Sequence, residues 1–336
     1  MNSFGRIFRV EIFGESHGPA VGAMVDGCPP GIELTIDDLE RDLARRRSGA
    51  AGTTERHEAD LPDILSGIYN GRSTGSPICI AFRNGDTRSS DYEDFKRVPR
   101  PGHADFTSRY KYGGFSDPRG SGHFSGRVTA GLVAAGAVAK KVLAADATID
   151  IVFETRILEA GGSANIEAAA AAAKEAGDSI GGLVEIRVRG LPAGLGEPFF
   201  DAAESVIAHA LFAVPAVRGV EFGDGFAASR MRGTEHNDPF VDASGKTSKN
   251  GSGGVNGGIT NGNDLVLRVA VKPASTVSAP QKTLDFESGE ETTLAPGGRH
   301  DACIALRASV VLEAACAVAL ADLSLVSRAS NARLEE

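Results

Sequence analysis

The chain has 336 residues, 42% hydrophobic and 24% charged, with 42 glycines and a net charge of −9. That profile excludes a disordered or fibrous chain, and the acidic balance excludes a general attraction to nucleic acid or to an anionic membrane. Twenty-six basic residues are Arg against nine Lys, and 15 of the Arg precede residue 130; the guanidinium fork grips phosphate and carboxylate through paired hydrogen bonds, so this bias points to small anions.

Residues 4 to 13 alternate Phe8, Val10 and Ile12 against Arg9 and Glu11, a strand pattern that ends at Gly14. Gly14-Glu15-Ser16-His17-Gly18 is then a loop at a strand end. A second extended segment over 20 to 26 leads into a Cys-Pro-Pro-Gly turn at 28 to 31. Thr35 and Asp38 have capping-box spacing, Leu39 and Leu43 repeat at i, i+4, and Arg45 to Arg47 close the helix before Gly49. A glycine-punctuated stretch over 113 to 126 precedes an Ala-rich helix over about 126 to 145, whose first turn carries Arg127. A cation there opposes the macrodipole, which is tolerable if Arg127 and the helix end face one anion.

A second Ala-rich helix covers about 164 to 176, and Val184, Ile186 and Val188 alternate as a strand. Helix 201 to 212 and strand 217 to 222 follow. Residues 224 to 263 are polar and rich in Gly; lying before an alternating strand at 264 to 271, they read as a functional loop rather than a linker. An apolar helix over about 301 to 328 belongs in the interior or at a subunit interface. No linker or repeat divides the chain, so one layered α/β or α+β domain is expected.

The four cysteines, Cys28, Cys79, Cys303 and Cys316, show neither CxxC nor His spacing. Reduced, half-buried thiols are expected, with no disulfide framework and no metal site. The N-terminus has no apolar leader, and no apolar run is expected to reach the ~20 residues that span a bilayer, so the expected location is cytoplasmic.

Two of the seven histidines, His17 and His103, stand in turn-rich polar frames, GESHG and PGHAD. Imidazole can give and take protons near neutral pH, so both are candidate acid–base groups. Four further segments combine cations or hydroxyls with small residues: Arg45 to Arg47, His123 to Arg127, Lys272 to Thr276, and Gly298 to Asp301. Close backbone approach to phosphate needs that composition. None matches a P-loop or GxGxxG, and four such segments suit a ligand with several anionic groups.

FGESHG at 13 to 18, Gly122-x-x-Ser125-Gly126-Arg127-x-Thr129 and Arg299-His300-Asp301 followed by Cys303 stand in register with RPGHAD at 100 to 105, GVEFGDGF at 219 to 226 and GGxxGGITNG at 253 to 262. With the Lys-Pro segment at 272, they make the sequence resemble the chorismate synthase family over nearly its whole length. The resemblance implies an α+β fold, a single-domain layered β-α-β sandwich with long glycine-rich active-site loops. It also implies a lyase that converts 5-enolpyruvylshikimate 3-phosphate to chorismate by 1,4-anti elimination of phosphate, needing reduced FMN without net redox change. The substrate's phosphate and two carboxylates, with the FMN phosphate, account for a cationic site.

At matching positions, the resemblance implies that His17 protonates the departing phosphate and His103 the anionic reduced flavin. Ser16, Ser125 and Asp301 match proton-relay residues, and Arg46, Arg127 and Arg307 match anion-binding arginines. FMN contacts are implied at His123, Phe124, Ser125, Pro215, Ala216, Gly257, Lys272, Pro273, Ala274, Ser275, Thr276 and Arg299. Three departures stand out: His123-Phe124 where many members have Arg-Ser, Ala302 where proline is usual, and Gly52 near the place of an NADP-linked arginine. NADP use is therefore not carried over. The family further implies a homotetramer, and with no reductase-like segment in the chain an external source of reduced flavin is expected.

Two other readings stand beside this one. A flavin-free phosphate-ester enzyme needs a nucleophile or a metal cluster, for which the sequence shows no carboxylate pair or cysteine frame. A non-catalytic binder of acidic metabolites predicts binding without turnover.

Overall fold

The computed structural model describes residues 1–49, 53, 58–85, 94–145, 150–296 and 300–330. Strands β1 (Ser3–Phe4), β2 (Arg9–Gly14) and β3 (Ala20–Asp26) are followed by helix α1 (Ile36–Arg46), then β4 (Asp63–Ser66), the hairpin β5 (Ile68–Tyr69) and β6 (Arg72–Ser73), and β7 (Ile78–Arg83). These build an antiparallel sheet of order β1-β2-β3-β7-β4. The short helix α2 (Asp105–Lys111) precedes α3 (Thr129–Leu143), β8 (Val152–Ala160), α4 (Ile166–Glu175), β9 (Gly182–Arg189), α5 (Ala203–Phe212) and β10 (Val217–Phe222). After α6 (Gly233–His236) and the hairpin β11 (Val255–Asn256) and β12 (Ile259–Thr260) comes β13 (Leu265–Val271), which completes a second antiparallel sheet, β10-β13-β9-β8. The hairpin β14 (Gln281–Leu284) and β15 (Glu291–Leu294) and the long helix α7 (Ala305–Ser330) end the chain.

The sheets sandwich the helices. Alternation explains which faces turn inward: Val21, Ala23 and Val25 of β3 are fully buried, as are Val184, Ile186 and Val188 of β9 and Leu265, Leu267 and Val269 of β13. Helix α3 lies on the first sheet, α7 on the second, and the two helices pack on each other. Their composition permits this closeness. A methyl group at Gly136 of α3 would fall 2.3 Å from Ala314 Cβ of α7, and one at Gly131 would fall 2.4 Å from the Gly22 carbonyl oxygen of β3. Apolar residues of both sheets and all the principal helices share one buried cluster.

Several sequence expectations change in three dimensions. The strand expected over 4 to 13 is broken at residues 5 to 8, because the backbone N–H groups of Arg6, Ile7 and Phe8 all donate to Asp322 Oδ1 of α7, at 2.9, 2.8 and 3.0 Å. The loop 224–263 contains α6 and the β11–β12 hairpin rather than irregular chain alone. Helix α7 is long and apolar enough to cross a membrane, contrary to expectation. Its most apolar stretch is 78% buried among the other elements, so it serves here as a core helix. Two carboxylates on α7 lie in that interior. One is Asp322; the other, Glu313, accepts from both terminal nitrogens of Arg45 at 2.7 Å, from Thr155 Oγ1 at 2.6 Å and from Lys140. Burial works against its ionisation, but Arg45 and Lys140 outweigh it and hold the carboxyl down at about 2. Cys28, Cys303 and Cys316 are buried outright rather than half-buried, and all four thiols are free. Burial pushes Cys316 up to about 12, which leaves it an inert core residue.

Candidate active site

A cavity of about 1030 Å³ opens where the chain leaves α1, the first sheet, α5 and β13 and enters α3 and α7. That is large for one small ligand and suits two bound together. Its lining combines apolar Val10, Ile12, Leu132 and Val311 with the cations Arg47, Arg127, Arg218, Lys272 and Arg307.

Arg46 and Arg127 are buried cations in the wall, with 2% and 6% of their surface exposed. Asp60 lies between them: its Oδ2 accepts from Arg46 Nη1 at 2.7 Å, and its Oδ1 from Arg127 Nη1. The expected misfit of Arg127 at a helix start is thus answered by a protein carboxylate, and Arg127 sits in a 3-10 turn (Gly126–Val128) ahead of α3. Arg46 also donates to Thr129 Oγ1 at 3.1 Å and to the carbonyls of Gly126 and Arg127 at 2.9 and 3.2 Å, so most of its donors face protein. Burial pulls its guanidinium down to about 10 against the opposing pull of Asp60; neighbouring Arg307 and Arg127 add to the fall. Arg127 Nε donates to Asn84 Oδ1 at 2.9 Å, and Asn84 Nδ2 donates to the carbonyls of Glu15 and Gly18 at 3.0 and 2.8 Å. Asn84 thereby ties the cationic wall to the 14–18 turn.

That turn holds His17 and Ser16. Ser16 is fully buried, and its N–H donates to Gly122 O at 3.0 Å. His17 is not among the cavity's lining residues. It packs behind Gly120, which is one: a methyl group there would fall 2.3 Å from His17 Cδ2. His123 lines the cavity while its Nδ1 is held by the Gly14 carbonyl at 2.7 Å, so the ring serves as a clamp on the same turn. Phe124 is partly exposed at the rim, 6.2 Å from the Tyr112 ring, and Ser125 Oγ accepts from the Arg127 N–H.

Across the cavity, Lys272 Nζ donates to Gly102 O at 2.9 Å and to Ser275 Oγ at 2.6 Å, while Arg100 Nη1 donates to Thr276 Oγ1 at 3.0 Å. These bonds stitch the 100–105 loop, with His103, to the segment after β13. Burial and nearby Arg218 lower the Lys272 pKa. Pro215 and Ala216, in the turn before β10, and Pro273 and Ala274 complete this side, and Ala216 O accepts from the Lys272 N–H at 2.9 Å. Arg307 pairs with Asp301 at 3.1 Å and donates from Nε to Arg46 O at 2.9 Å.

His103, His123, Phe124, Ser125, Pro215, Ala216, residues 272–276, Asp301 and the three arginines therefore share one cavity. Gly257 does not: it lies exposed in the β11–β12 turn, away from the lining. Arg299 and Gly52 lie outside the described residues. Sequence reading missed Asp60, Asn84 and the partners of His103, namely Arg100 and Asp105. The surplus of Arg before residue 130 was a signal for Asp60, since buried cations need counter-charges.

The donor set fits a flavin phosphate and an anionic substrate. Arg47 Nε is buried with no acceptor among the described residues, beside a cavity lined by both apolar and cationic side chains. A cavity of this size, lined by guanidinium, ammonium, imidazole and hydroxyl groups, has the make-up of an enzyme site for a small-molecule substrate. The chorismate synthase family profile matches residues 8–325. A chorismate synthase of Chitinophaga pinensis is 57% identical over 331 residues, covering 98% of each chain, and one of Korarchaeum cryptofilum is 45% identical, covering 95% of this chain and 96% of its own. A crystal structure of a chorismate synthase superposes with a TM-score of 0.71 at 27% identity, over 96% of this chain and 93% of that one. The chain belongs to the chorismate synthase family and is an enzyme of that class.

Proposed function

We propose that the chain, working as a single domain, converts 5-enolpyruvylshikimate 3-phosphate to chorismate and phosphate by 1,4-anti elimination, with reduced FMN bound beside the substrate. The observation that carries this reading is the convergence of His103, Ser125, Arg127, Lys272, Asp301 and Arg307 on one cavity of about 1030 Å³.

Arg127 and Arg307, with Arg46 behind them, bind and orient the substrate anions, while Asp60 and Asp301 limit the self-repulsion of the cluster. His103, Phe124, Ser125, Pro215, Ala216 and residues 272–276 would hold FMN. When bound, reduced FMN would lend electron density to the allylic system as the C–O bond to phosphate breaks and recover it as the C6 proton leaves, with no net redox change. His103 supplies a proton from the rim. His17, with Ser16, serves the departing phosphate from behind Gly120, and Ser125 and Asp301 relay protons at the cavity wall. The apolar lining residues would limit water in the site and so raise the worth of the charges beside them. NADP forms no part of the proposal. Four free thiols suit a reducing cytoplasm, and the reduced flavin comes from an external reductase to a homotetramer.

Anaerobic assay with chemically reduced FMN, run with and without the flavin, tests the reaction. Chorismate is expected only when flavin is present. Phosphate released without chorismate, whether or not flavin is present, would support a flavin-free ester enzyme, and tight substrate binding without product would support a metabolite binder.

A further inference from the structure

We propose that Asp105 and Arg100 are positioning residues that fix the tautomer of His103, so that Nδ1 carries a permanent hydrogen and Nε2 is the atom that exchanges protons in the cavity. This rests on the role given to His103 above.

His103 Nδ1 has two neighbours that ask opposite things of it: Asp105 Oδ1, an acceptor, at 2.7 Å, and Arg100 Nη2, a donor, at 3.0 Å. One ring nitrogen can satisfy only one of them. The other bonds of Arg100 decide which. Its Nη2 has two hydrogens and already reaches Asp105 Oδ1 at 2.7 Å and Ser121 Oγ at 3.1 Å. Its Nε reaches Asp105 Oδ2 at 2.8 Å and its Nη1 reaches Thr276. Arg100 therefore spends its donors without the imidazole, and the hydrogen between His103 and Asp105 belongs on Nδ1. Burial opposes ionisation of Asp105, but Arg100 and His103 overcome it and hold the carboxyl far below its usual range, so the acceptor is a carboxylate.

The pair is itself held firmly. Arg100 is 4% exposed, and its guanidinium lies 4.3 Å from the centre of the Phe95 ring. The Arg100 carbonyl accepts from the His103 N–H at 3.2 Å, closing a turn in which Gly102 has φ +69°. An imidazole so oriented accepts at Nε2 when neutral and donates there when charged.

The test is NMR of the full-length chain labelled with ¹⁵N-histidine, at mildly alkaline pH where imidazoles are neutral, with the His103 signal identified by its loss in His103→Gln. The wild-type ring is expected to carry its hydrogen on Nδ1. In Asp105→Ala, Arg100 Nη2 becomes the remaining partner of Nδ1, and the hydrogen is expected to move to Nε2. Asp105→Asn keeps the side-chain shape; Arg100 Nε holds the amide oxygen, the amide nitrogen faces Nδ1, and the same switch is expected. Both variants should lower kcat by about 10² to 10⁴-fold with KM changed less than about threefold, and Asp105→Glu should restore part of the loss. A wild-type hydrogen on Nε2, or a tautomer indifferent to both substitutions, would overturn the proposal. Because the NMR signature is independent of turnover, a failure of the reaction assigned above would be seen separately, as wild-type protein with the expected tautomer and no chorismate.

Discussion

Gly120 separates the cavity from His17, and replacing it with alanine is a direct perturbation of that histidine. The new methyl group would lie 2.3 Å from His17 Cδ2, 2.5 Å from its Nε2 and 2.9 Å from Ser16 Oγ. Carbon atoms in contact need ~3.5 Å, so the ring must retreat by about 1 Å. A displacement of about 1 Å in a catalytic group costs on the order of 10² in rate. The backbone adds its own penalty: Gly120 has φ +59°, where an L-residue costs roughly 1–2 kcal/mol. Gly114→Ala separates the two effects, because Gly114 has φ +85° and no atom within 4 Å of the added methyl. Anaerobic chorismate formation with reduced FMN, beside urea unfolding, reads both. Both variants should lose stability, and only Gly120→Ala should lose about 10²-fold in kcat. Equal rates in the two variants would refute the placement of His17 in the reaction.

Glu313→Gln should remove about 3 kcal/mol at neutral pH, from a folded carboxyl held at about 2 against an ordinary 4.5. Because the folded value is depressed, that stabilisation is complete above about 4.5 and fades as pH falls toward 2; urea titrations should show the gap between mutant and wild type narrowing at pH ~3.5. A gap constant with pH would assign the loss to packing. Asn84→Ala breaks the links from Arg127 to the carbonyls of Glu15 and Gly18 and should cut turnover roughly tenfold while costing about 1–3 kcal/mol in urea unfolding. His17→Ala and His103→Ala should each lower kcat by roughly 10- to 10⁴-fold with unchanged far-UV circular dichroism, and unaltered rates would remove the residue from the mechanism.

Local signals in the sequence carried well. The Thr35–Asp38 capping box marks α1 at Ile36–Arg46, with the reciprocal bonds present, and the alternation at 217–222 and 264–271 gives β10 and β13 within a residue. Each of these depends on neighbours a few positions away. What could not be read depends on partners far apart in the chain. Three N–H groups of residues 6–8 bend toward Asp322, more than 300 positions distant, and no periodicity encodes that. Arg46 and Arg127 look like free cations in sequence because Asp60 meets them only after folding. The motif residues His103 and Lys272 line one cavity, whereas Gly257, in the β11–β12 turn, is not among the residues that line it. Within RPGHAD the motif drew attention to the histidine alone, although Arg100 and Asp105 both lie within hydrogen-bond distance of its Nδ1.

The most direct measurement is a crystal structure of the chain with FMN and 5-enolpyruvylshikimate 3-phosphate bound together. The isoalloxazine is expected to lie face to face with the cyclohexene ring between residues 123–125 and 272–276, with the substrate anions on Arg127 and Arg307 and His103 Nε2 toward the flavin. Rings held apart, or either ligand bound outside this cavity, would contradict the assignment of the site.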